Sequence, residues 1–331
     1  MNLQVRINLL SKLGKYIKNN DFEWREIKEQ ASYRNGWFTT SFIDIASEKI
    51  VKEFLNEASL NEWVAHYHID DTNQPKNIGI VMAGNIPLVG FHDFVAIFIA
   101  GHHQTIKLSS KDDLLLKHLV EKLTEFDPEI NNYIRFAEML KGCDAYIATG
   151  SNNSARYFEQ YFAKYPHIIR KNRTSAAILT GTETAAELEK LADDIHLYFG
   201  LGCRNASKIF VPEGYDFIPL LKAFDQYKYF EDHHKYKNNY DYQLSIILLN
   251  NVYYMTNGAT LLTENKGLFS PISHIFYEYY TDDKKVLEDL KHNDDVQCII
   301  GGNQTDFGEA QNPGLFSYAD GVDTMHFLLS L

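Results

Sequence analysis

The chain has 331 residues, 45% of them hydrophobic and 14% aromatic, which predicts a globular protein of one large domain or two ordinary ones. Its formal net charge of −12 argues against nucleic acid or an anionic membrane surface as a partner. Three widely spaced cysteines, Cys143, Cys203 and Cys298, form neither a disulfide framework nor a zinc motif, as is typical of a reducing cytoplasm.

The amino-terminal segment predicts an amphipathic helix and lacks the apolar run of a signal peptide. Its apolar residues recur at helical spacing, at Leu3, Ile7, Leu10, Leu13 and Ile17. The longest apolar run, FVAIFIA at 94–100, is too short to span a bilayer. We therefore expect a soluble, cytoplasmic protein without membrane insertion.

From residue 77 onward, strand-like runs alternate with helical segments. The predicted strands are 77–84, 104–109, 144–150 and 176–181, and the predicted helices are 88–101, 111–126, 151–165 and 184–200. This alternation predicts a doubly wound α/β fold with a parallel sheet. The loops after its strands share one edge, where such sheets bind ligands.

Beyond Cys203 the same alternation continues more loosely. The predicted strands there are 207–214, 273–280 and 296–302, and the predicted helices are 217–227 and 240–250. We expect a first domain over 1–198 and a smaller α/β domain over 199–331. The carboxyl-terminal end is apolar and is expected to pack against the folded protein. Whether it packs on the second domain or back on the first is left open by the sequence.

Polar residues follow three of the predicted strands. In the first loop, AGNIP, Asn85 lies between a glycine and an Ile-Pro pair. Such a loop can present the Asn85 amide rigidly, and an amide donates two hydrogen bonds that suit a developing oxyanion. A simple turn asparagine is the alternative interpretation.

The next two loops carry donors for hydroxyl and phosphate oxygens. Lys107, Ser109 and Ser110 lie in IKLSSKD. In ATGSNNSAR, Gly150 allows a turn and Ser151 is a candidate N-cap, so that the helix would begin with free N–H groups. A surface Lys-Ser-Ser and an ordinary capped helix are the alternatives.

Cys203 occurs in an unusual setting for a structural cysteine. In YFGLGCRNAS it lies between Gly202 and Arg204, just after the predicted end of a helix. A nearby cation or helix terminus could raise the thiolate fraction of this cysteine. Cys143 and Cys298 lie in apolar runs and are expected to be buried and inert.

Together these segments resemble the aldehyde dehydrogenase superfamily. The likeness is greatest to the fatty-acyl-CoA reductases, the reductase component of bacterial bioluminescence and its relatives. It rests on GNIP at 84–87, KLSS at 107–110, TGS at 149–151 and GLGCRN at 200–205, in that order, and covers about residues 78–215. It implies a doubly wound cofactor domain and a smaller α/β domain that bears the catalytic cysteine.

The resemblance also implies roles for particular residues. Cys203 would be the nucleophile and Asn85 part of the oxyanion hole. The cofactor-binding residues would be Lys107, Ser109, Ser110, Thr149, Gly150 and Ser151. The implied reaction is NADPH-dependent reduction of an acyl-CoA, or another acyl thioester, to the aldehyde through an acyl-cysteine. A homo-oligomer is compatible with the sequence, and no metal is expected.

Two departures from the family pattern shape this expectation. No Asp or Glu occurs between residues 166 and 182, where hydrolytic relatives carry the glutamate that activates water. Ser110 stands where NAD-preferring relatives commonly have a glutamate, and Lys107 is near it in sequence, so NADPH is favoured over NADH.

Two other functions stay open at this stage. One is a thioester hydrolase in which a histidine activates Cys203, although no local motif selects the histidine. The other is a non-catalytic protein that binds a dinucleotide or an acyl group. His167 and His196 are near in sequence but are expected to be structural, and the His102–His103 and His233–His234 pairs are expected at the surface, not at a metal.

Overall fold

The computed structural model describes residues 1–72 and 74–331. The chain divides into two compact units. The first contains Met1–Asn172 and Pro313–Leu331, and the second contains Arg173–Asn312. The division after Asn172 lies earlier than the expected boundary at 198/199, because the strand and helix that follow residue 172 belong to the second sheet and its covering layer.

Four helices open the first unit. They are α1 (Leu3–Asn19), α2 (Phe22–Arg34), α3 (Thr40–Glu53) and α4 (Glu57–His66). The amphipathic helix predicted from the sequence is confirmed as α1. Of the five apolar residues that predicted it, four are buried and Leu3 is half-buried. Asn2 caps this helix by accepting from the Val5 N–H at 2.9 Å.

A five-stranded parallel sheet follows in the first unit, in the order β3-β2-β1-β4-β5. Its elements are β1 (Asn77–Val81), α5 (Phe91–Ile99), β2 (His103–Lys107), α6 (Leu115–Phe126), α7 (Ile130–Tyr133), β3 (Ile134–Phe136), β4 (Ala145–Thr149), α8 (Asn152–Phe162) and β5 (His167–Arg170). The predicted strands at β1, β2 and β4 are confirmed. The short edge strands β3 and β5 were not predicted, because three or four residues carry little periodic signal.

The second unit holds a six-stranded sheet in the order β11-β6-β7-β10-β9-β8. Its elements are β6 (Thr174–Ile178), α9 (Ala185–His196), β7 (Ala206–Pro212), α10 (Ile218–Ala223), α11 (His234–Leu249), β8 (Met255–Thr256), β9 (Leu261–Glu264), β10 (His274–Tyr280), α12 (Asp283–Lys291) and β11 (Val296–Gly301). All pairings are parallel except that of β8 with β9. The described residues also contain three 3₁₀ segments, Leu197–Gly200 and Phe224–Asp232 in this unit and Ala319–Gly321 in the first.

The last helix, α13 (Thr324–Leu329), belongs to the first unit and packs against α5. Buried Arg170 on β5 donates to the carboxylate of Asp93 on α5, at 2.9 Å for one of its two hydrogen bonds, and to the Thr324 hydroxyl at 2.8 Å. The helix α5 is apolar on nearly all sides, which is typical of a helix buried within a core. Among residues 1–72 and 74–331, no helix is long and apolar enough to cross a membrane.

Candidate active site

The carboxyl ends of β2, β1 and β4 lie side by side in the first unit. Val81 at the end of β1 pairs with Lys107 of β2 on one side and with Ala148 of β4 on the other. The sequence-predicted cofactor residues lie at or just after the ends of β2 and β4, at Lys107, Ser109, Ser110, Thr149, Gly150 and Ser151. The chain runs outward from β1 to β2 and β3 and then returns to β4, so the switch point of the sheet lies between β1 and β4.

The loop that carries Asn85 packs closely against the loop after β2. Gly84 is buried, and a Cβ atom there would lie 2.7 Å from the Ser109 hydroxyl oxygen. Only glycine therefore allows the two loops to approach this closely. Asn85 itself is exposed, as a residue that meets a ligand requires.

Asp112 links the same two loops through a hydrogen bond. Its carboxylate is 8% exposed and accepts the N–H of Leu88 at 2.8 Å. Leu88 has a φ of +56°, a strained value for a leucine, and the bond helps to hold it there. The other carboxylate oxygen is buried and has no hydrogen-bond partner among the described residues. Burial raises the pKa of Asp112 to about 7, with the Leu88 N–H opposing the rise and the charge of Asp113 adding to it.

The amino end of α8 follows β4 directly. Ser151 is the N-cap and accepts the Ser154 N–H at 3.3 Å, as its sequence position predicts. The Gly150 N–H donates to the Arg170 carbonyl at 3.2 Å. A Cβ atom at Gly150 would lie 2.9 Å from that of Ser154, so this tight entry into the helix also depends on a glycine.

Cys203 lies on a turn in the second unit, between the 3₁₀ segment after α9 and the start of β7. The turn spans Gly202–Asn205 and is closed by the Asn205 N–H, which donates to the Gly202 carbonyl at 3.1 Å. The cysteine is half-buried. Because β6 and β7 are parallel, Cys203 lies at their amino edge.

The backbone before this turn is strained. Tyr198, Phe199 and Gly200 have φ values of 57°, 57° and 72°, a left-handed run that disfavours residues other than glycine. Both aromatic side chains are buried, and Phe199 packs against Phe230, His233 and Tyr236. Strain of this kind costs on the order of 1–3 kcal/mol a residue and is often found beside functional residues.

Cys298 is not fully buried, although the sequence predicts it to be. It is half-buried, and its Sγ lies 3.0 Å from the Ser175 hydroxyl oxygen, which also donates to the Cys203 carbonyl at 3.0 Å. Burial raises the pKa of the Cys298 thiol, while the Ser175 hydroxyl and the Arg204 cation oppose the rise. The Arg204 cation therefore affects the pKa of the Cys298 thiol, although Arg204 is the neighbour of Cys203 in the sequence. Cys143 is buried as predicted.

The two histidines near Cys203 in sequence have structural settings. His196 is buried, its Nδ1 donates to the Ala192 carbonyl at 2.9 Å, and its Nε2 lies 2.8 Å from the Thr260 hydroxyl. Burial lowers the pKa of His196 to about 4, so it is neutral at pH 7. His167 is exposed on β5, in the other unit.

The expected surface position of His102 is wrong. It is 2% exposed, accepts the Lys76 N–H at 3.1 Å and donates to the Leu328 carbonyl at 3.0 Å. It therefore anchors the carboxyl-terminal helix. Within residues 1–72 and 74–331, no three His, Cys, Asp or Glu side chains are grouped so that they could hold a metal ion.

Glu183 is the first carboxylate after the acid-free stretch 166–182, and it lies far from Cys203. Its carboxylate accepts from the Thr180 hydroxyl and the Gly181 N–H, at 2.8 and 3.0 Å, in the loop after β6. This loop is at the carboxyl edge of the sheet, whereas Cys203 is at the amino edge. The paired length of β6 and β7 separates the two edges by roughly 13 Å, at about 3.3 Å a residue.

The family model for acyl-CoA reductase (LuxC) matches residues 1–218, about two thirds of the chain, and this range includes both Asn85 and Cys203. The chain belongs to the acyl-CoA reductase (LuxC) family. The resemblance inferred from the four sequence segments is thereby confirmed, and the family makes the chain an oxidoreductase with an activity of the acyl-CoA reductase or aldehyde dehydrogenase type.

Solved structures of aldehyde dehydrogenases share the fold of this LuxC-family chain. Aldehyde dehydrogenase 21 from Physcomitrella patens, in complex with succinate, is 13% identical, with a TM-score of 0.69 over 92% of this chain and 74% of the other. The NAD⁺ complex of aldehyde dehydrogenase from Bacillus cereus is 13% identical, with a TM-score of 0.66 over 91% and 72%. Betaine aldehyde dehydrogenase from Staphylococcus aureus is 11% identical, with a TM-score of 0.64 over 91% and 70%. The predicted aldehyde-dehydrogenase-like α/β fold is confirmed.

A search of curated proteins finds no significant sequence match.

Three polar residues of this LuxC-family chain were not selected by sequence reasoning, namely Asp112, Ser175 and Asn205. Asp112 and Asn205 each lie within a few residues of a selected position, which is the only local signal they give. Ser175 lies on an ordinary strand and gives none.

Proposed function

We propose that this chain reduces an acyl-CoA thioester to the aldehyde through an acyl-cysteine on Cys203, with NADPH as the reductant. The observation that carries the proposal is the setting of Cys203. It is half-buried on a hydrogen-bonded turn beside strained backbone, within the range that matches the acyl-CoA reductase family. A cysteine needed only for packing would be expected among apolar side chains.

The thiol supplies the nucleophile. A cysteine is strongly nucleophilic even when only a few per cent of it is ionised at neutral pH. Its attack forms a bond from Sγ to the acyl carbon, breaks the bond to the CoA sulfur and releases CoA, so one thioester replaces another at little free-energy cost. The N–H of Cys203 and the amide of Asn85 are the proposed donors to the oxyanion. The role of Asn85 is supported by its exposure on a loop held by Gly84 and Asp112.

The strand-end loops of the first unit fit a nicotinamide dinucleotide. Lys107 offers an exposed cation, Ser109 and Ser110 offer hydroxyls, and the start of α8 favours an anion. The nicotinamide, when bound, supplies the hydride that reduces the acyl group. The Bacillus cereus relative was solved with NAD⁺, and the same class of cofactor is proposed here.

The charges around the second loop favour NADPH over NADH. Ser110 is neutral, and the two carboxylates after it are both engaged. Asp112 is buried against Leu88, and Asp113 is paired with Arg34 and Lys117 at 3.3 and 3.5 Å. The charge of Asp113 is therefore offset by two cations and Asp112 is buried, which lowers the repulsion that a 2′-phosphate would meet at this loop.

Reduction of the acyl-cysteine is proposed over its hydrolysis. Water is a weak nucleophile towards a thioester and needs a positioned base, which typically contributes 10²–10⁴-fold. Glu183, the nearest carboxylate after the acid-free stretch, lies at the other edge of the sheet and accepts hydrogen bonds from its own loop. The acyl-cysteine is therefore expected to last until it is reduced or returned to CoA.

Acylation followed by reduction tests the proposal. The protein is incubated with butyryl-CoA or palmitoyl-CoA, the Cys203 peptide is examined by mass spectrometry, and NADPH is then added while aldehyde is measured. We expect an acyl adduct on Cys203 that NADPH converts to aldehyde. Cys203→Ala should abolish both steps, whereas the matched variant Cys143→Ala should retain both, because Cys143 is buried in the first unit.

The same experiment separates the alternatives. Release of free acid without NADPH would identify a thioester hydrolase. Absence of any adduct would indicate a protein that binds without catalysis. An equal loss of activity in Cys143→Ala and Cys203→Ala would contradict the assignment of the nucleophile.

A further inference from the structure

The side chain of Asn205, near the candidate nucleophile, is hydrogen-bonded through both its oxygen and its nitrogen. It is 2% exposed and lies two residues after Cys203. Its Oδ1 accepts the Gly202 N–H at 2.8 Å. Its Nδ2 donates to the last carbonyls of α9 and its extension, those of Asp194, Ile195 and Leu197, at 3.0, 3.3 and 2.9 Å. The side chain therefore joins the end of the helix to the turn that carries the cysteine.

The backbone of the turn is held from the other side by β6. The Asn205 carbonyl accepts the Ser175 N–H at 3.1 Å and the Thr174 hydroxyl at 3.2 Å. The Ser175 hydroxyl donates to the Cys203 carbonyl at 3.0 Å. The turn is thus hydrogen-bonded to a helix terminus through Asn205 and to a strand through Ser175.

The chain next to the turn offers little regular structure to fix its position. Gly200, which precedes the turn, and Gly202, which begins it, have no side chains to pack, and the left-handed run at Tyr198 and Phe199 interrupts the regular hydrogen bonding of the helix. We propose that Asn205 is the positioning residue of Cys203, with Ser175 as its second support. This proposal rests on the proposed function, since it assumes that Cys203 is the nucleophile.

The chemistry of the position requires an amide. An asparagine side chain carries two N–H donors and one acceptor, and this site uses both kinds. An aspartate would keep the acceptor for Gly202 but would place an oxygen against carbonyl oxygens. An alanine would leave buried carbonyls and one buried N–H without partners.

Single-turnover kinetics test the proposal with Asn205→Ala and Asn205→Asp. A displacement of about 1 Å at a reacting atom can reduce the rate about 10²-fold. We expect the rate constant for acylation of Cys203 by butyryl-CoA to fall about 10–100-fold in both variants, while KM changes less than about threefold. Labelling of Cys298 by iodoacetamide, which reports opening of this part of the unit, should stay as in the wild type.

A matched control removes a different polar cap from the same unit. Asp282 caps α12 by accepting the N–H groups of Lys284 and Lys285, and Asp282→Ala should retain wild-type acylation. If Asp282→Ala loses acylation as strongly as Asn205→Ala, the effect is general destabilisation and the proposal is overturned. Wild-type acylation in both Asn205 variants also overturns it.

A milder variant decides the question if the Asn205 variants do not fold. Ser175→Ala removes the hydrogen bond to the Cys203 carbonyl and is expected to slow acylation about threefold to tenfold with KM unchanged. An unchanged rate would then refute the positioning role. Failure of the proposed function is distinguishable, because the wild-type protein itself would then form no adduct on Cys203.

Discussion

Asp112 should make the stability of the first unit fall as the pH rises. Its pKa is raised from 3.8 to about 7 in the folded protein. Between these values the folded state keeps a proton that the unfolded state has lost, so each pH unit removes about 1.4 kcal/mol of folding free energy. This contribution is fully present below pH 3.8, and about 4 kcal/mol of it is lost once the pH exceeds 7.

Asp112→Asn removes the ionisation and keeps an oxygen for the Leu88 N–H. The free energy of unfolding of the variant, relative to the wild type, should therefore rise by about 3 kcal/mol between pH 5 and pH 8. Urea unfolding followed by tryptophan fluorescence measures this, because the three tryptophans, Trp24, Trp37 and Trp63, all lie in the first unit.

The neighbouring carboxylate provides the control. Asp113 is half-buried and paired with Arg34 and Lys117, and Asp113→Asn should change the pH dependence by less than about 1 kcal/mol, as is usual for such pairs. A wild-type-to-Asp112→Asn difference that does not vary with pH would refute the reasoning. It would mean that the carboxylate is solvated or otherwise compensated in the folded protein.

Further predictions concern the cofactor, the products and the oxyanion. NADPH should bind more tightly than NADH by fluorescence titration, and Ser110→Glu should reverse the order by placing a negative charge at the ribose; equal dissociation constants in the wild type would contradict this. Aldehyde and NADP⁺ should give little free acid, and added CoA should redirect the flux to acyl-CoA, with Glu183→Gln leaving the ratio of acid to thioester unchanged; rapid acid formation without CoA would reveal a base that positions water. Asn85→Ala should lower kcat about 10²–10³-fold with an unchanged circular dichroism spectrum, and a retained kcat would remove Asn85 from the oxyanion site.

The sequence by itself predicted α1, the longer parallel strands and the polar loops that follow them. A buried parallel strand appears in the sequence as a short apolar run. The runs that form β1, β2 and β4 are each followed by the glycine or polar residues that the strand-end loops need. The position of Cys203 between a helix end and a strand also followed from local pattern. These features are encoded within windows of a few residues, which is why they could be predicted.

The tertiary structure alone decided how those loops are held. Leu88 and Asp112 are 24 residues apart, Ser175 and Cys203 are 28 apart, and Ser175 and Cys298 are 123 apart. The second unit begins at Arg173, just before β6, and no composition change marks this boundary. The residue pattern of a short segment does not predict such contacts, because they form only when folding brings distant strands and loops together.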